Sequence, residues 1–268
     1  MLKDITLGQY FPGNSLIHRL DPRTKLIMLV VYIVALFMAS GWVAYAALFA
    51  VLAWVFKIST IPVKSIVKGM KPLVMILIFT GILNLFFTQE GTLLVVFWII
   101  KIYSGGLSRA LMMVARILML ITCTFLLTYT TSPIALTDGL EALMSPLKKI
   151  GVPVHELSMM MSIALRFIPT LVEETDKIMS AQKARGADFE GGSLIDKAKA
   201  LIPILVPLFI SAFRRADELA TAMECRCYHG GEGRTKLHVL KYETRDRIAL
   251  AAGCVILIAV LVLRRFGL

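Results

Sequence analysis

Four long apolar stretches constrain this chain more than any other feature of its sequence. They cover roughly residues 26–56, 72–100, 107–130 and 247–263. A helix needs about 20 apolar residues to cross the hydrocarbon of a bilayer. A hydrophobic content of 57% and a mean hydropathy of +0.77 also separate the chain from ordinary soluble proteins. The sequence therefore predicts an all-α, polytopic helical membrane protein.

About five transmembrane helices are expected from these stretches. The first stretch has Ser40-Gly41 near its middle and is interpreted as two short spans joined by a tight turn. The third, fourth and fifth spans are predicted at residues 73–88, 107–128 and 247–263. Residues 92–103 are too short to cross a bilayer, so we expect a half-inserted or interfacial segment there. No cleaved signal peptide is expected, because residues 1–25 carry charges and lack an apolar core.

The spans divide the chain into three regions. A membrane region is predicted over residues 1–130, a charged helical region over 131–245 and a final transmembrane helix over 246–268. Residues 131–245 hold 15 basic and 14 acidic side chains, so nearly all of the net charge of +11 flanks or enters the membrane. That distribution is typical of topology signals and argues against binding of nucleic acid.

The positive charges also predict an orientation. Lys57, Lys64, Lys68 and Lys71 mark the loop between spans two and three as cytoplasmic. The N-terminus and the charged region then lie in the cytoplasm, and the C-terminus lies outside. Arg264-Arg265 oppose this assignment, although short C-terminal charges can be overruled by the rest of a chain.

Two long amphipathic helices are predicted in the charged region, at residues 155–183 and 194–226. Each shows small and apolar side chains at alternating spacings of four and three, which is the helical period. Ser193 is expected to cap the second helix, and prolines inside both helices should bend them. The first seam comprises Leu157, Met161, Ala164, Ile168, Leu171, Thr175, Ile178 and Gln182, and the second Leu194, Ala198, Leu201, Leu205, Leu208 and Ala212.

Both predicted helices end on an arginine between small residues. The first closes with Ala184-Arg185-Gly186 and the second with Cys225-Arg226-Cys227. The ends form a weak repeat, because Asp176, Ile178, Ala181 and Arg185 recur 41 residues later as Asp217, Leu219, Ala222 and Arg226. Two interpretations are open. The arginines either are solvated and complement the helix dipole, or enter grooves of a partner and pair with carboxylates.

Several longer motifs resemble a known family. They are His18-Arg19-Leu20-Asp21-Pro22-Arg23-Thr24-Lys25, Leu165-Arg166-Phe167-Ile168-Pro169, Ala181-Gln182-Lys183-Ala184-Arg185-Gly186 and Arg214-Arg215-Ala216-Asp217-Glu218-Leu219-Ala220. Together they resemble the transmembrane T component of energy-coupling factor transporters, a branch of the ATP-binding cassette importers. The resemblance extends over residues 14–228 and the final span.

The resemblance implies functions that the spacing does not show. It implies crossed coupling helices in residues 131–245, with Ala184-Arg185-Gly186 on one ATP-binding cassette ATPase and Cys225-Arg226-Cys227 on a second. Cysteines replace the flanking Ala and Gly of the second motif, which leaves its backbone conformation open. It also implies a small membrane subunit that captures a vitamin or other micronutrient, and a prokaryotic cell membrane as the location. ATP and magnesium would be bound by the ATPases, with no cofactor or metal in this chain.

Other features leave alternatives open. Arg116 within the fourth span is costly in a membrane, and it either belongs to a substrate or proton path or pairs with a neighbouring subunit or a lipid phosphate. Clustered methionines either fill the core or form an adaptable surface. Glycine-rich residues 230–235 lack a phosphate-loop pattern. A self-sufficient permease or channel is disfavoured because the predicted spans contain no acidic residue, and a membrane enzyme because no catalytic set is present.

Overall fold

The computed structural model describes residues 10–88, 92–97, 100–187, 189, 191, 193–231 and 239–266. Within them the chain is helical apart from one short hairpin. The helices are α1 (Pro22–Met38), α2 (Trp42–Ser59), α3 (Val63–Met70), α4 (Val74–Phe87), α5 (Ser104–Thr130), α6 (Pro133–Met144), α7 (Val154–Ala184), α8 (Leu194–Cys225) and α9 (Thr244–Arg265). Short 3-10 helices follow α3 at Lys71–Leu73 and α6 at Ser145–Ile150. The protein is thus an all-α polytopic membrane protein, as predicted.

Four stretches of helix are long and apolar enough to span a bilayer among the described residues. They are Trp42–Ser59, Val63–Phe87, Ser104–Thr130 and Thr244–Arg265. The helix α1 has 17 residues, which is the lower end of the length range of about 17–25 residues for a span. Ala39 to Gly41 separate α1 from α2, at the place where the tight turn was predicted.

The predicted loop between spans two and three is mostly helical. Lys64 and Lys68 lie on α3, and Lys71 begins the 3-10 turn that leads into α4. Pro72 accounts for that turn, because its ring has no N–H to continue the α-helical ladder. The lysines therefore lie on a helical extension of the third span and not on a loop.

The segment predicted to be half-inserted forms a β-hairpin. Strand β1 (Leu93–Phe97) pairs antiparallel with strand β2 (Ile100–Tyr103), with Leu93 opposite Tyr103. Trp98 lies outside the described residues. The hairpin links α4 to α5, and Gly106 permits the close approach of these helices because an added Cβ would lie 2.9 Å from the Leu85 carbonyl oxygen.

The chain divides into two compact units. Among the described residues, the first unit comprises those within 10–140 and 240–266, and the second unit lies within 141–239. The core of the first unit is built by α1, α2, α5 and α9. Its most completely buried side chains include Leu36, Leu48 and Met119, and the Tyr32 hydroxyl donates to the Leu48 carbonyl. Lipid chains are as apolar as these side chains, so close packing and hydrogen bonds between the helices stabilise this core.

The second unit contains the helix pair α7 and α8, whose predicted bounds are confirmed to within one residue. Polar contacts join Glu174 to Ser211 and Gln182 to the Pro203 carbonyl, so the helices run antiparallel where they meet. The predicted cap is confirmed, because Ser193 and Asp196 form a reciprocal capping box. Pro169, Pro203 and Pro207 lie inside the helices as expected.

The predicted seam of α8 is wrong at two of its positions, while Leu208 and Ala212 are half-buried as members of a packing face. Leu201 and Leu205 are exposed, whereas Ile204 is buried at 3% exposure. Ser211 and Arg215, which lie on the same face as Ile204, make the polar contacts with α7. The stretch 200–213 is apolar nearly all round, so apolar spacing alone could not select the face that packs. Polar side chains at positions 211 and 215 select it.

Candidate functional site

The first arginine motif ends α7 in a closed backbone turn. Arg185 is the C-cap residue, and Gly186 follows in the left-handed region with φ of +90°. The Gly186 N–H donates to the Lys183 carbonyl, and the Ala187 N–H donates to the Gln182 carbonyl, both at 3.0 Å. These two hydrogen bonds form a Schellman motif, which satisfies carbonyls that the helix end leaves free.

The second arginine motif ends α8 with the same backbone turn. Arg226 is the C-cap residue, the Cys227 N–H donates to the Glu224 carbonyl at 2.8 Å, and the Tyr228 N–H donates to the Met223 carbonyl at 3.1 Å. Cys227 occupies the position of Gly186 and adopts φ of +58°. The replacement of glycine therefore leaves the turn intact, at the steric cost that a Cβ carries in the left-handed region.

All six residues of the two motifs are exposed: Ala184, Arg185, Gly186, Cys225, Arg226 and Cys227. Neither guanidinium has a hydrogen-bond or ion-pair partner within the part of the chain that the structure describes. The 41-residue repeat thus corresponds to two helix ends of matching geometry, each presenting an arginine with free donors. Their binding to ATPases stays a prediction.

A polar contact fixes the helices that carry the motifs against each other. Nη2 of Arg215 donates to Oε2 of Glu174 at 2.8 Å, and the Ser211 hydroxyl donates to Oε1. The hydrogen bond from Ser211, followed by that from Arg215, holds the pKa of Glu174 below its ordinary value. Arg215 belongs to one of the motifs that carry the family resemblance, so that motif stabilises the helix pair.

A second cluster joins α6, α7 and the segment after α8 within the second unit. Oε1 of Glu141 lies 3.2 Å from Nδ1 of His155, and Oε2 accepts a hydrogen bond from Ser158 at 2.8 Å. Gly231 packs on the His155 ring so closely that an added Cβ would lie 2.5 Å from Cδ2. This cluster could not be predicted from the sequence, because Glu141 and Gly231 are separated from His155 along the chain.

The N-terminal signature forms a buried hydrogen-bond cluster in the first unit. The Asp21 N–H donates to Oδ1 of Asp246 at 2.9 Å, which ties the start of α1 to the start of α9. Nζ of Lys25 donates to the Thr130 carbonyl at 2.9 Å and to the Thr131 hydroxyl at 3.3 Å, which ties α1 to the end of α5. The signature therefore has a structural role that the sequence did not reveal.

Arg116 is paired within the chain. Its Nε donates to the Tyr45 hydroxyl at 2.7 Å, and its guanidinium carbon lies 5.4 Å from the centre of the Phe37 ring. A cation–π contact and a charge-assisted hydrogen bond both offset the cost of the charge. These contacts favour the structural interpretation of Arg116 and supply it with partners on α1 and α2.

The predicted methionine roles divide between the two units. Met119 lies in the core of the first unit, whereas Met160 and Met161 on α7 are more than half exposed. All four cysteines are free thiols, and Cys225 and Cys227 are exposed. The predicted glycine-rich segment 230–235 lies outside the described residues from position 232 onwards, as does His238.

These features define a class: a multi-pass helical membrane protein that presents two exposed, matching helix ends on a charged helix pair. The family model for CbiQ, described as a cobalt transport protein, matches residues 13–237. A relative from Clostridium kluyveri is 53% identical over 96% of this chain and 95% of its own length. A relative from Ruminiclostridium cellulolyticum is 52% identical over 92% of both chains. One from Bacillus subtilis is 49% identical over 92% of this chain and 93% of its own length.

All three relatives are described as the energy-coupling factor transporter transmembrane protein EcfT. The chain therefore belongs to the family of transmembrane components of energy-coupling factor transporters. That membership confirms the resemblance read from the sequence motifs, and makes the protein a multi-pass membrane component of a multi-subunit transporter.

Proposed function

We propose that this chain transmits motion from two cytoplasmic ATPases to a membrane subunit that captures a vitamin or other micronutrient. The chain itself is non-catalytic, and ATP and magnesium are bound by the ATPases. The N-terminus and the helix pair α7 and α8 face the cytoplasm of a prokaryotic cell. The observation that carries the proposal is the pair of exposed arginines, Arg185 and Arg226, on helix ends with the same backbone turn.

Each arginine is suited to a carboxylate-lined groove of an ATPase. A guanidinium offers a rigid fork of donors that pairs with a carboxylate through two parallel hydrogen bonds. The C-terminal end of a helix carries the negative end of its dipole, which favours the positive charge of an arginine there. The Schellman turn directs the chain away immediately after the arginine, so a partner surface can approach the helix end closely.

The two helix ends receive equivalent contacts from two related ATPases. When ATP closes the ATPase pair, each docked helix end moves with its own subunit. The contact of Glu174 with Ser211 and Arg215 joins the two helices, so they transmit this movement together. The unequal flanking residues, glycine in one motif and cysteine in the other, favour two ATPases that differ from each other.

The test replaces both arginines by alanine in the full transporter complex. R185A/R226A is expected to abolish transport-coupled ATP hydrolysis and to release the ATPases during purification, because each docking site loses its ion pair. The matched control is R166A/R214A, which removes one exposed arginine from the interior of each of the same helices. Normal uptake by R185A/R226A, or equal loss in the control, would refute the proposal.

A second measurement separates this proposal from a self-sufficient permease. The purified chain is reconstituted in liposomes without ATPases and without any other membrane subunit. No substrate uptake is expected, since the chain acts on a partner that binds the substrate. Uptake by the chain alone would contradict the proposal and support the permease.

A further inference from the structure

A long apolar groove opens between the helices of the first unit. It has a volume of about 410 Å³ and is lined by α1, α2, α5 and α9 together with the turn that precedes α1. Its walls are apolar except near one end, where Arg245, Lys25 and Thr130 lie. Along α9 the wall is made of small side chains, with Ala249, Ala252 and Gly253 facing the groove.

The length of the groove matches one leaflet of a bilayer. Arg245, Ala249, Ala252 and Ile256 line it at spacings of four, three and four, so one face of α9 forms the wall. The eleven residue-to-residue steps from Arg245 to Ile256 extend about 16 Å at 1.5 Å per step. The hydrocarbon of one leaflet is about 15 Å thick, half of the roughly 30 Å core. The groove therefore extends along the helix by about the depth that one acyl chain occupies.

The groove is too small to enclose a protein helix. A helix with its side chains is at least about 10 Å across, so little more than one turn would fill 410 Å³. Gly253 narrows the groove further, because α1 approaches α9 so closely that an added Cβ would lie 2.5 Å from Sδ of Met28. A slot of this form accommodates a flexible hydrocarbon chain.

The charged end of the groove has one cation with free donors. Nζ of Lys25 already donates to the carbonyls of His18 and Thr130 and to the Thr131 hydroxyl, which uses its three hydrogens. Arg245 forms an exposed ion pair with Glu243, but the distance of 3.8 Å between Nε and Oε2 is too long for a hydrogen bond, so its donors stay available. Arg245 can therefore receive an anionic group at the end of the groove.

We propose that this groove binds an anionic phospholipid, with one acyl chain along α9 and the phosphate on Arg245. The assignment rests on the chain's place in a membrane and not on its docking to ATPases. Basic pockets between transmembrane helices are suited to anionic lipid headgroups, and a guanidinium binds phosphate through two hydrogen bonds. The lipid fills space between α1, α2, α5 and α9, so it supports their packing.

Trp54 provides the measurement, because it lies on α2 and lines the groove. In W42F/W98F it is the remaining tryptophan of the chain. The full transporter complex is placed in nanodiscs that contain brominated phosphatidylglycerol or brominated phosphatidylcholine, with tryptophan-free partner subunits. Quenching of Trp54 by each brominated lipid then gives the preference of the groove for the anionic headgroup over the zwitterionic one.

Phosphatidylglycerol is expected to be preferred about tenfold, which is the scale of one charge-assisted hydrogen bond. R245Q should reduce this preference to near one, and A252F should abolish it by blocking the groove. The matched controls are R264Q, at the other end of α9, and A251F, an exposed neighbour that does not line the groove. Both controls should keep the preference and the elution profile of the parent.

Three results would overturn the proposal. The first is equal quenching by the two lipids in the parent. The second is a preference that survives both R245Q and A252F, which would assign it to the general lipid annulus. The third is protection of Trp54 from both lipids by a partner subunit, which would make the groove a protein interface. If A252F does not assemble, R245K provides the test. Lysine keeps the positive charge but lacks the two parallel donors of the guanidinium, so R245K should retain only part of the preference for phosphatidylglycerol.

Discussion

Nη2 of Arg215 on α8 lies 2.8 Å from Oε2 of Glu174 on α7, across the interface of the helix pair. The Ser211 hydroxyl donates to the other carboxylate oxygen. One carboxylate thus receives donors from two successive turns of the opposite helix. The contact sets which face of α8 packs, and it explains why Ile204 and not Leu205 is buried.

The helix pair should therefore be less stable in acid. The pKa of Glu174 is lowered in the folded chain, so its contribution is complete above its unfolded pKa of about 4.3 and is lost as the pH falls through the folded pKa. The unfolding temperature of the full chain should decline as the pH is lowered from about 6 to about 3, the range in which a carboxylate titrates. E174Q should reduce this decline. E173Q, on the exposed neighbour, is the control. An unchanged decline in E174Q would contradict the assignment.

Substitution of the residue in the left-handed conformation should change the stability of the two helix ends in opposite directions. C227G should stabilise the end of α8 by about 1 kcal/mol, because it removes the cost of a Cβ in the left-handed region. G186A should destabilise the end of α7 by a similar amount. Nothing lies within 4 Å of an added Cβ at Gly186, so its effect is that of the backbone alone.

Asparagine gives the control for that pair of substitutions, because it tolerates the left-handed region better than other residues with a Cβ. G186N should therefore lie between Gly186 and G186A in the temperature of unfolding, and C227N between C227G and C227A. Any other order at both positions would show that side-chain contacts and not the backbone decide the turn.

The contributions of Arg116 and Tyr45 to the stability of the fold should be coupled. Y45F leaves a guanidinium donor without its acceptor inside a membrane region, at a cost of about 1–3 kcal/mol. R116M removes the charge, so Y45F should cost much less in that background. A double-mutant cycle on thermal unfolding should give a coupling energy of about 0.5–3 kcal/mol. Y103F, at the N-cap position of α5 and away from Arg116, is the control.

Transport by R116M discriminates between the two sequence-based interpretations of this arginine. The structural interpretation predicts that substrate uptake per folded complex is preserved in R116M. The alternative, a substrate or proton path, predicts loss of uptake at normal stability. Uptake is measured in the full complex, normalised to the amount of assembled protein.

The sequence predicted the parts of this protein that depend on local patterns. Apolar length located the spans, helical period located α7 and α8, and Ser193 and Gly186 gave the positions of a cap and a turn. Contacts between distant residues could not be read in this way. Asp21 with Asp246, and Glu141 with His155, pair side chains whose meeting depends on the tertiary fold.

The packing face of α8 was not fully predicted for a related reason. Residues 200–213 are apolar on nearly every face, so hydrophobic periodicity does not identify the face that packs there. The face that packs includes Ser211 and Arg215, which are polar and lie outside the predicted seam. In the same way, Cys227 gave no sign that it would adopt the left-handed conformation of the glycine it replaces.

The contact of Gly231 with His155 yields a last prediction, for the segment that follows the second arginine motif. In G231A the new methyl group would lie 2.5 Å from Cδ2 of His155, and the ring cannot swing away freely because Glu141 holds its Nδ1. G231A should therefore lower the unfolding temperature of the full chain. H155A provides the space for that methyl group, so G231A/H155A should be no less stable than H155A alone. G230A is the matched control, because its added Cβ meets nothing within 4 Å and its cost comes from a φ of +96°. H155A should leave that cost unchanged, and rescue of both glycine variants by H155A would contradict a direct contact.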